Sequence, residues 1–354
     1  MYSTIVKRTG ARILFPLLSH SRSDCLTKPF YSGLGSILMF HRVCSESSRP
    51  RIRGNAGLEV TPEYLENTVK FLRKNNYEIV SLSRVEKILN DNYKNKKFAV
   101  LTFDDGYIDN YVHAYPLLKK HKVPFTIYVT TNFPDGNAVL WWYILEDLIL
   151  KEARIEFQLN GLEYQYSCAS LLQKERAYKQ IHGLIFNGPS NDLRQQFLQV
   201  FKNYDINFLK KTSELALTWE QIREMSRDPL VEIGAHTINH HVLSKLPDSA
   251  VQKEIEGSRD KIESEINQKV EHFSYPFGTR NEVGQREFGI TKKCGFKTST
   301  TTCVGNIFKE HKDLLEQLPR IPVNQKRDNG KINYLNLWLN GTLPCLINKF
   351  KKIL

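Results

Sequence analysis

The feature that most constrains this chain is a regular alternation of short apolar runs with stretches of helical period. Eight runs read as strands: 36–41, 78–82, 98–103, 125–130, 231–235, 272–276, 297–300 and 320–323. Helical segments fit between them: 62–74 follows Thr61, 83–90 follows a strand directly, and Thr218-Trp219-Glu220-Gln221 reads as a capping box. Val251, Ile255, Ile262 and Ile266 form one apolar stripe of a longer helix. Strands alternating with helices imply mostly parallel pairing in an α/β fold. Seven or eight such units predict a (β/α)7–8 barrel, regular or distorted. The stretch 140–217 breaks the rhythm and reads as a largely helical insertion over the barrel mouth. The expected organisation is a basic N-terminal segment (1–35), a barrel with its insertion (36–323) and a basic amphipathic C-terminal segment (324–354).

The net charge of +12 sits at the ends. Residues 1–53 hold nine Lys/Arg against Asp24 and Glu46, and residues 324–354 hold six against Asp328, so the stretch between sums to zero. A nucleic-acid reader more often carries its basic residues on the folded domain. No nucleic-acid partner is therefore expected, and basic ends suit an anionic surface such as a membrane. Leu346, Ile347, Phe350, Ile353 and Leu354 fall at helical spacing among Lys349, Lys351 and Lys352, as in a short amphipathic helix lying on lipid. Nothing approaches a bilayer-spanning run, and Pro16 interrupts the apolar stretch of a poor signal peptide. The expected location is the cytoplasm, with peripheral contact at the inner membrane face. Six scattered cysteines without Cys-x-x-Cys spacing read as reduced and structural.

Reactive side chains collect where strands end. Asp104-Asp105 closes one run, His236 a second, Tyr275-Pro276-Phe277-Gly278 a third, and His41 the first. Barrel enzymes gather their chemistry at the carboxyl ends of their strands. One carboxylate and two imidazoles hold a divalent ion with positions left open, and a second carboxylate is then free to act as a base. Each motif has a plain reading when taken singly. Asp-Gly is a common turn, two histidines four apart sit on many exposed helices, and Trp141-Trp142-Tyr143 is more often core than sugar platform. Their combination at strand ends points to a metal-assisted hydrolase.

Together, Thr102-Phe103-Asp104-Asp105-Gly106, His236-Thr237-Ile238-Asn239-His240 and Pro276-Phe277-Gly278 resemble the motifs of the polysaccharide deacetylase family (carbohydrate esterase family 4). The resemblance covers roughly 36–130 and 218–323. It implies Asp104 as general base, Asp105, His236 and His240 as metal ligands, and a Pro276–Phe277 turn beside the substrate. Zinc is the first expectation for the metal, with cobalt, nickel or iron accepted by the same donors. Two departures stand out. Ser274 or a neighbour occupies the place where many members carry the arginine that orients the base, and Arg320 is the candidate replacement. The late histidine that supplies the acid is absent, and His41, which resembles the early histidine of the branch with exported biofilm-polysaccharide deacetylases, is the candidate for that role or for steadying the base. Trp141 is a candidate stacking surface for a sugar ring.

The expected function is removal of N-acetyl groups from amino sugars of a surface polysaccharide or its lipid-linked precursor. The alternatives are a related amidase or O-acyl esterase on another substrate, and a catalytically silent glycan-binding barrel.

Overall fold

The computed structural model describes residues 23–45, 51–91, 96–188 and 193–353. In chain order the strands are β1 (Gly35–Phe40), β2 (Arg42–Val43), β3 (Glu59–Val60), β4 (Tyr77–Ile79), β5 (Lys97–Phe103), β6 (Phe125–Val129), β7 (Arg154–Leu159), β8 (Leu162–Ser167), β9 (Val231–Ala235), β10 (His272–Ser274), β11 (Thr298–Val304) and β12 (Leu318–Pro322). Seven of them pair in parallel in the order β1-β12-β11-β10-β9-β6-β5, and β1 meets β5 to close the barrel. All eight runs expected as strands are strands, with 231–235 matched at both ends and the other ends shifted by at most four residues.

The eighth strand explains the distortion. β4 pairs with the first residues of β5, from Tyr77–Lys97 to Ile79–Ala99, whereas β6 pairs with its last, at Thr102–Thr126 and Phe103–Ile127. Since β1 occupies the other edge of β5, β4 and β6 share one edge, which forks toward the base. Side chains fill the fork. Glu232, near the start of β9, accepts from Thr126 Oγ1 at 2.9 Å, the Leu82 N–H at 2.8 Å and the Ser83 N–H at 3.1 Å. The Ser83 hydroxyl meets His272 Nε2 at 2.8 Å.

Successive strand residues point to opposite faces of a sheet, and here this sorts the core into two. Leu38, Phe40, Leu101, Phe103 and Phe273 pack outward against the helices, together with Leu65, Val69 and Leu72 of helix Pro62–Lys74 and Val251, Ile255 and Ile262 of helix Asp248–Ile266. The alternate residues Ile37, Phe98, Val100, Tyr128 and Leu318 face inward and pack on Val85, Ile88 and Leu89 of helix Ser83–Asn90. That helix plugs the base. The same parity carries Thr102, Asp104, Ser274 and Arg320 into the barrel, one layer nearer the mouth.

The insertion has its own apolar core, including Trp141, Leu145, Ile149, Phe157, Ile181 and Phe201. Helices Trp141–Lys151, Leu171–Asn187, Leu193–Val200 and Phe208–Leu215 bear out its helical character in part. It also contains an antiparallel hairpin, β7–β8, turned by Asn160 and Gly161 at φ of 53° and 77°. Positive φ at both central residues suits an Asn-Gly turn, whose twist matches that of the strands it joins. A buried ionic cluster ties the insertion down: Glu146 accepts from Arg51 Nε at 3.1 Å, the Ile52 N–H at 2.7 Å and Asn55 Nδ2 at 3.0 Å. At its exit Ala216 bridges Tyr107, and the Leu217 N–H donates to Gly106 O at 2.9 Å.

The C-terminal segment differs from the amphipathic helix expected from spacing. Leu335, Trp338, Leu339 and Leu343 are buried in the main core, and the last helix, Thr342–Ile347, ends before the lysine cluster. Lys349 and Phe350 take φ of 51° and 65°, and the Phe350 N–H returns to Cys345 O at 2.8 Å, a bond that terminates the helix. Helix Ser23–Tyr31 packs beside it, with Tyr31 Oη donating to Phe350 O at 3.3 Å. Among the described residues no helix is long and apolar enough to cross a membrane.

Candidate active site

Asp104 continues the β5 ladder, its N–H donating to Phe40 O at 3.0 Å. Strict alternation would then turn Asp105 away from the barrel. Instead Asp105 adopts φ of 78° and Gly106 φ of 90°, which reverses the chain and lets both carboxylates face the mouth. A left-handed conformation at a non-glycine residue costs about 1–2 kcal/mol. The bond from the Thr130 N–H to Asp105 O, 3.2 Å, helps hold the turn.

Asp104 and Asp105 are both buried, yet their partners differ. Asp104 receives Arg320 Nη1 on one oxygen and Nη2 on the other, each at 2.7 Å. Arg320 is itself fully buried and spends its other donors on Thr301 O (2.9 Å), Thr102 Oγ1 (3.2 Å) and Ser274 Oγ (3.0 Å). Thr301 lies at the register shift between β11 and β12, where an irregular strand turns its carbonyl to the guanidinium. Burial alone would raise the Asp104 pKa, but the Arg320 charge and hydrogen bonds prevail and hold it below the usual carboxylate range.

Asp105 faces the two histidines. His236 Nε2 lies 3.3 Å and His240 Nε2 3.2 Å from Asp105 Oδ1. His236 Nδ1 is 2.6 Å from the Ser274 carbonyl, which fixes that nitrogen as the donor and leaves the Nε2 lone pair free for a cation. Against the cost of burial, the two imidazoles hold the Asp105 carboxyl well below its usual range. These three donors converge within 4.8 Å of one another. Asp105 Oδ1 is buried without a hydrogen-bond partner of good geometry, as is His240 Nδ1. A buried carboxylate oxygen facing two imidazole nitrogens, with nothing else to satisfy it, is the environment a divalent cation completes. The residues fit the metal.

The histidine motif is a loop rather than a helix. Thr237 and His240 take φ of 67° and 58°, and Thr237 Oγ1 accepts from the His240 N–H at 3.0 Å. Glu254, on helix Asp248–Ile266, accepts the Ile238 and Asn239 N–H groups, each at 2.9 Å. Sequence reasoning did not single out Glu254, because a helical glutamate gives no local signal of the loop it reaches.

His41 directly follows β1 and is half-buried, its carbonyl accepting from Asn110 Nδ2 at 2.9 Å. Burial lowers its pKa while Asp105 and Asp104 oppose the shift, so it stands within electrostatic reach of both carboxylates. Pro276 is buried, and Phe277, at φ of 60°, sets its ring 4.8 Å from His240 and 5.0 Å from Phe186 of the insertion. Trp141 does not offer the open stacking face expected of it. It is 2% exposed, with its ring 4.7 Å from His182 inside the insertion core. The tryptophan beside the Asp105–His236–His240 cluster is Trp142, 5.5 Å from His240, because one step along a helix turns the side chain by about 100°.

The comparisons agree with this geometry. The sequence profile described as polysaccharide deacetylase matches residues 91–298. The Bacillus subtilis protein YxkH is 23% identical over 267 residues, 75% of this chain. The chain spans 63% of the length of that curated relative. Among solved structures, the Streptococcus pyogenes deacetylase PplD superposes with a TM-score of 0.56 at 20% identity, covering 86% of this chain and 97% of that one. IcaB from Ammonifex degensii gives 0.53 at 17% identity, covering 86% and 96%. These likenesses support the barrel, and with more than half of its length matched by the family profile, the chain belongs to the polysaccharide deacetylase family.

Proposed function

We propose that this protein hydrolyses the N-acetyl groups of amino sugars in a surface polysaccharide or its lipid-linked precursor. The observation that carries the reading is the split between two adjacent carboxylates: Asp105 faces His236 and His240, while Asp104 is held ionised by Arg320. A divalent ion held by Asp105, His236 and His240, most simply zinc, would supply the Lewis acidity that activates water and polarises an amide carbonyl. Asp104 accepts the proton of the attacking water on a carboxylate oxygen. Arg320 keeps that carboxylate ionised and oriented without touching the substrate. Pro276 and Phe277 wall the site against His240 and exclude bulk water from the acyl group. The proton that Asp104 takes from water is passed on to the departing amine, with His41, its backbone anchored by Asn110, relaying it.

Acetate release from N-acetylated glycans and from lipid-linked amino sugars tests this, comparing metal-loaded, chelated and Asp104→Asn protein. Release that requires metal and collapses in Asp104→Asn is expected. Metal binding with turnover of O-acetyl esters alone would give the site to the esterase alternative. Sugar binding without any turnover would make the barrel a silent binder.

Peripheral contact with an anionic lipid surface is part of the same reading. Leu26 (78% exposed), Phe30, Leu346 and Phe350 (66%) are exposed on the two packed terminal elements, beside Lys28, Lys351 and Lys352. Apolar groups interleaved with lysines match such a surface in both hydrophobicity and charge. Co-sedimentation with phosphatidylglycerol vesicles, lost in Leu26→Ser/Phe350→Ser, checks it. Equal binding by wild type and variant would remove this contact.

A further inference from the structure

A cleft of about 1030 Å³ runs from His41 and Met39, at the end of β1, to Lys349 and Lys351 of the C-terminal segment. Its charge is lopsided. Glu59 and Glu175 are its acidic side chains, and both are engaged: Glu59 with Arg42 and Arg51, Glu175 with Arg53. Arg327 is likewise occupied, paired with Asp328 and stacked 3.9 Å from the Trp338 ring centre. Arg280, Lys326, Lys349 and Lys351 line the same cleft, all exposed, and among the described residues none makes an ion pair.

Four uncompensated cations around one opening repel one another, and an anion of matching size removes that repulsion. The floor between them and His41 is apolar, with Met39, Val60, Val304 and Val323. A neutral glycan uses neither the charge nor much of that floor. We propose that the cleft is an anion subsite for the phosphate or diphosphate linking the amino sugar to its carrier, placed so that the acetamide reaches Asp104 and Asp105 while the phosphates sit among Arg280, Lys326, Lys349 and Lys351. This rests on the deacetylase reading of the adjoining site. The cations also separate the two ends of the substrate: the reacting amide lies in the buried polar layer, and the charged linkage stays at the solvent rim, where it needs little desolvation.

The test uses the metal-loaded full chain and four probes: inorganic diphosphate, a neutral N-acetylglucosamine oligomer, a nucleotide-diphosphate N-acetylhexosamine, and the same sugar on a short isoprenyl diphosphate. Inorganic diphosphate is expected to inhibit competitively and to weaken at high salt. In Arg280→Gln/Lys326→Gln/Lys349→Gln the ratio of kcat/KM for the phosphorylated over the neutral substrate is expected to fall about tenfold or more. Lys326→Arg/Lys349→Arg, which keeps the charge, should retain the ratio. Preference for the isoprenyl form assigns a lipid carrier and preference for the nucleotide form a soluble one; either supports the subsite. Acetate release from the neutral oligomer without inhibition by diphosphate overturns the subsite and leaves the deacetylase standing. Diphosphate binding that is lost in the triple variant, with no acetate from any probe, overturns the deacetylase and keeps the subsite. An unchanged ratio in the triple variant overturns the proposal.

Discussion

Arg320 Nη1 and Nη2 each lie 2.7 Å from a different oxygen of Asp104, and Ser274 Oγ accepts from the same Nη2 at 3.0 Å. The small side chain of Ser274 therefore leaves room for a guanidinium arriving from β12, in the place where an arginine beside the Pro276 turn would otherwise stand. The Asp104 carboxylate is thus oriented from β12 rather than from the strand that carries the Pro276 turn.

Removing that guanidinium should lower stability at neutral pH and move the acid side of the activity profile. Arg320→Met leaves Asp104 buried without its counter-charge, a loss of about 3–5 kcal/mol in urea denaturation. Because the folded pKa of Asp104 lies below its unfolded value, the pair stabilises the fold above the unfolded pKa and loses that effect as pH falls through the folded one. Without Arg320, burial raises the pKa, so the acid limb of kcat/KM should move to higher pH. An acid limb that stays in place would separate Asp104 from the base.

Metal removal is the second check. Wild type should bind one equivalent of zinc by equilibrium dialysis, whereas Asp105→Ala and His240→Ala, each with one donor fewer, should not. At a hundredfold excess over Kd, zinc should stabilise wild type by about 2.7 kcal/mol and leave Asp105→Ala unchanged. Equal binding by all three proteins would place the metal elsewhere.

Glu254 offers a cleaner separation of structure from chemistry. It shapes the 236–240 loop through two backbone N–H groups and the Asn239 side-chain amide. Glu254→Ala should lower metal affinity about 10- to 100-fold, as loss of a residue that orients ligands does. Competition against a chromophoric chelator measures this. Unaltered affinity would show that the loop holds its shape unaided.

His311 should make the fold acid-sensitive well away from the site. It is buried, the Phe308 N–H donates to its Nδ1 at 3.0 Å, and burial lowers its pKa to about 4. The unfolded chain therefore takes up a proton first as pH falls. Stability is fully present above about pH 6.5 and declines toward pH 4, by up to about 3 kcal/mol from this group. His311→Gln should flatten that slope in chemical denaturation between pH 7 and 4. A slope unchanged by the substitution would assign the acid sensitivity to other groups.

Much of this was legible in the sequence, for identifiable reasons. Parallel barrel strands are covered on both sides and so read as continuous apolar runs, which is why β5 and β9 stood out. Helix Pro62–Lys74 announced itself through Thr61 and Pro62. The hairpin β7–β8 was also announced, by Asn160-Gly161 between Ile155 and Phe157 on one side and Tyr164 and Tyr166 on the other, but the helical surroundings outweighed it. The Asp105 reversal was not legible, since a positive φ at an aspartate leaves no periodic trace. Nor was the choice of Trp142 over Trp141, because it depends on how the insertion helix is rotated against His240 and His182.

The forked edge of β5 divides the barrel by the kind of bond that closes it. Around the mouth, closure is by peptide ladders that no side-chain substitution removes. In the fork at the base, where β4 and β6 part, it depends on Glu232, Ser83, Thr126 and His272, four replaceable side chains. Durability and reactivity are thus assigned to opposite rims. Variation at the lower rim can adjust how long the molecule survives without altering the rim that carries Asp104 and Asp105, so a search for sturdier versions has a natural place to begin.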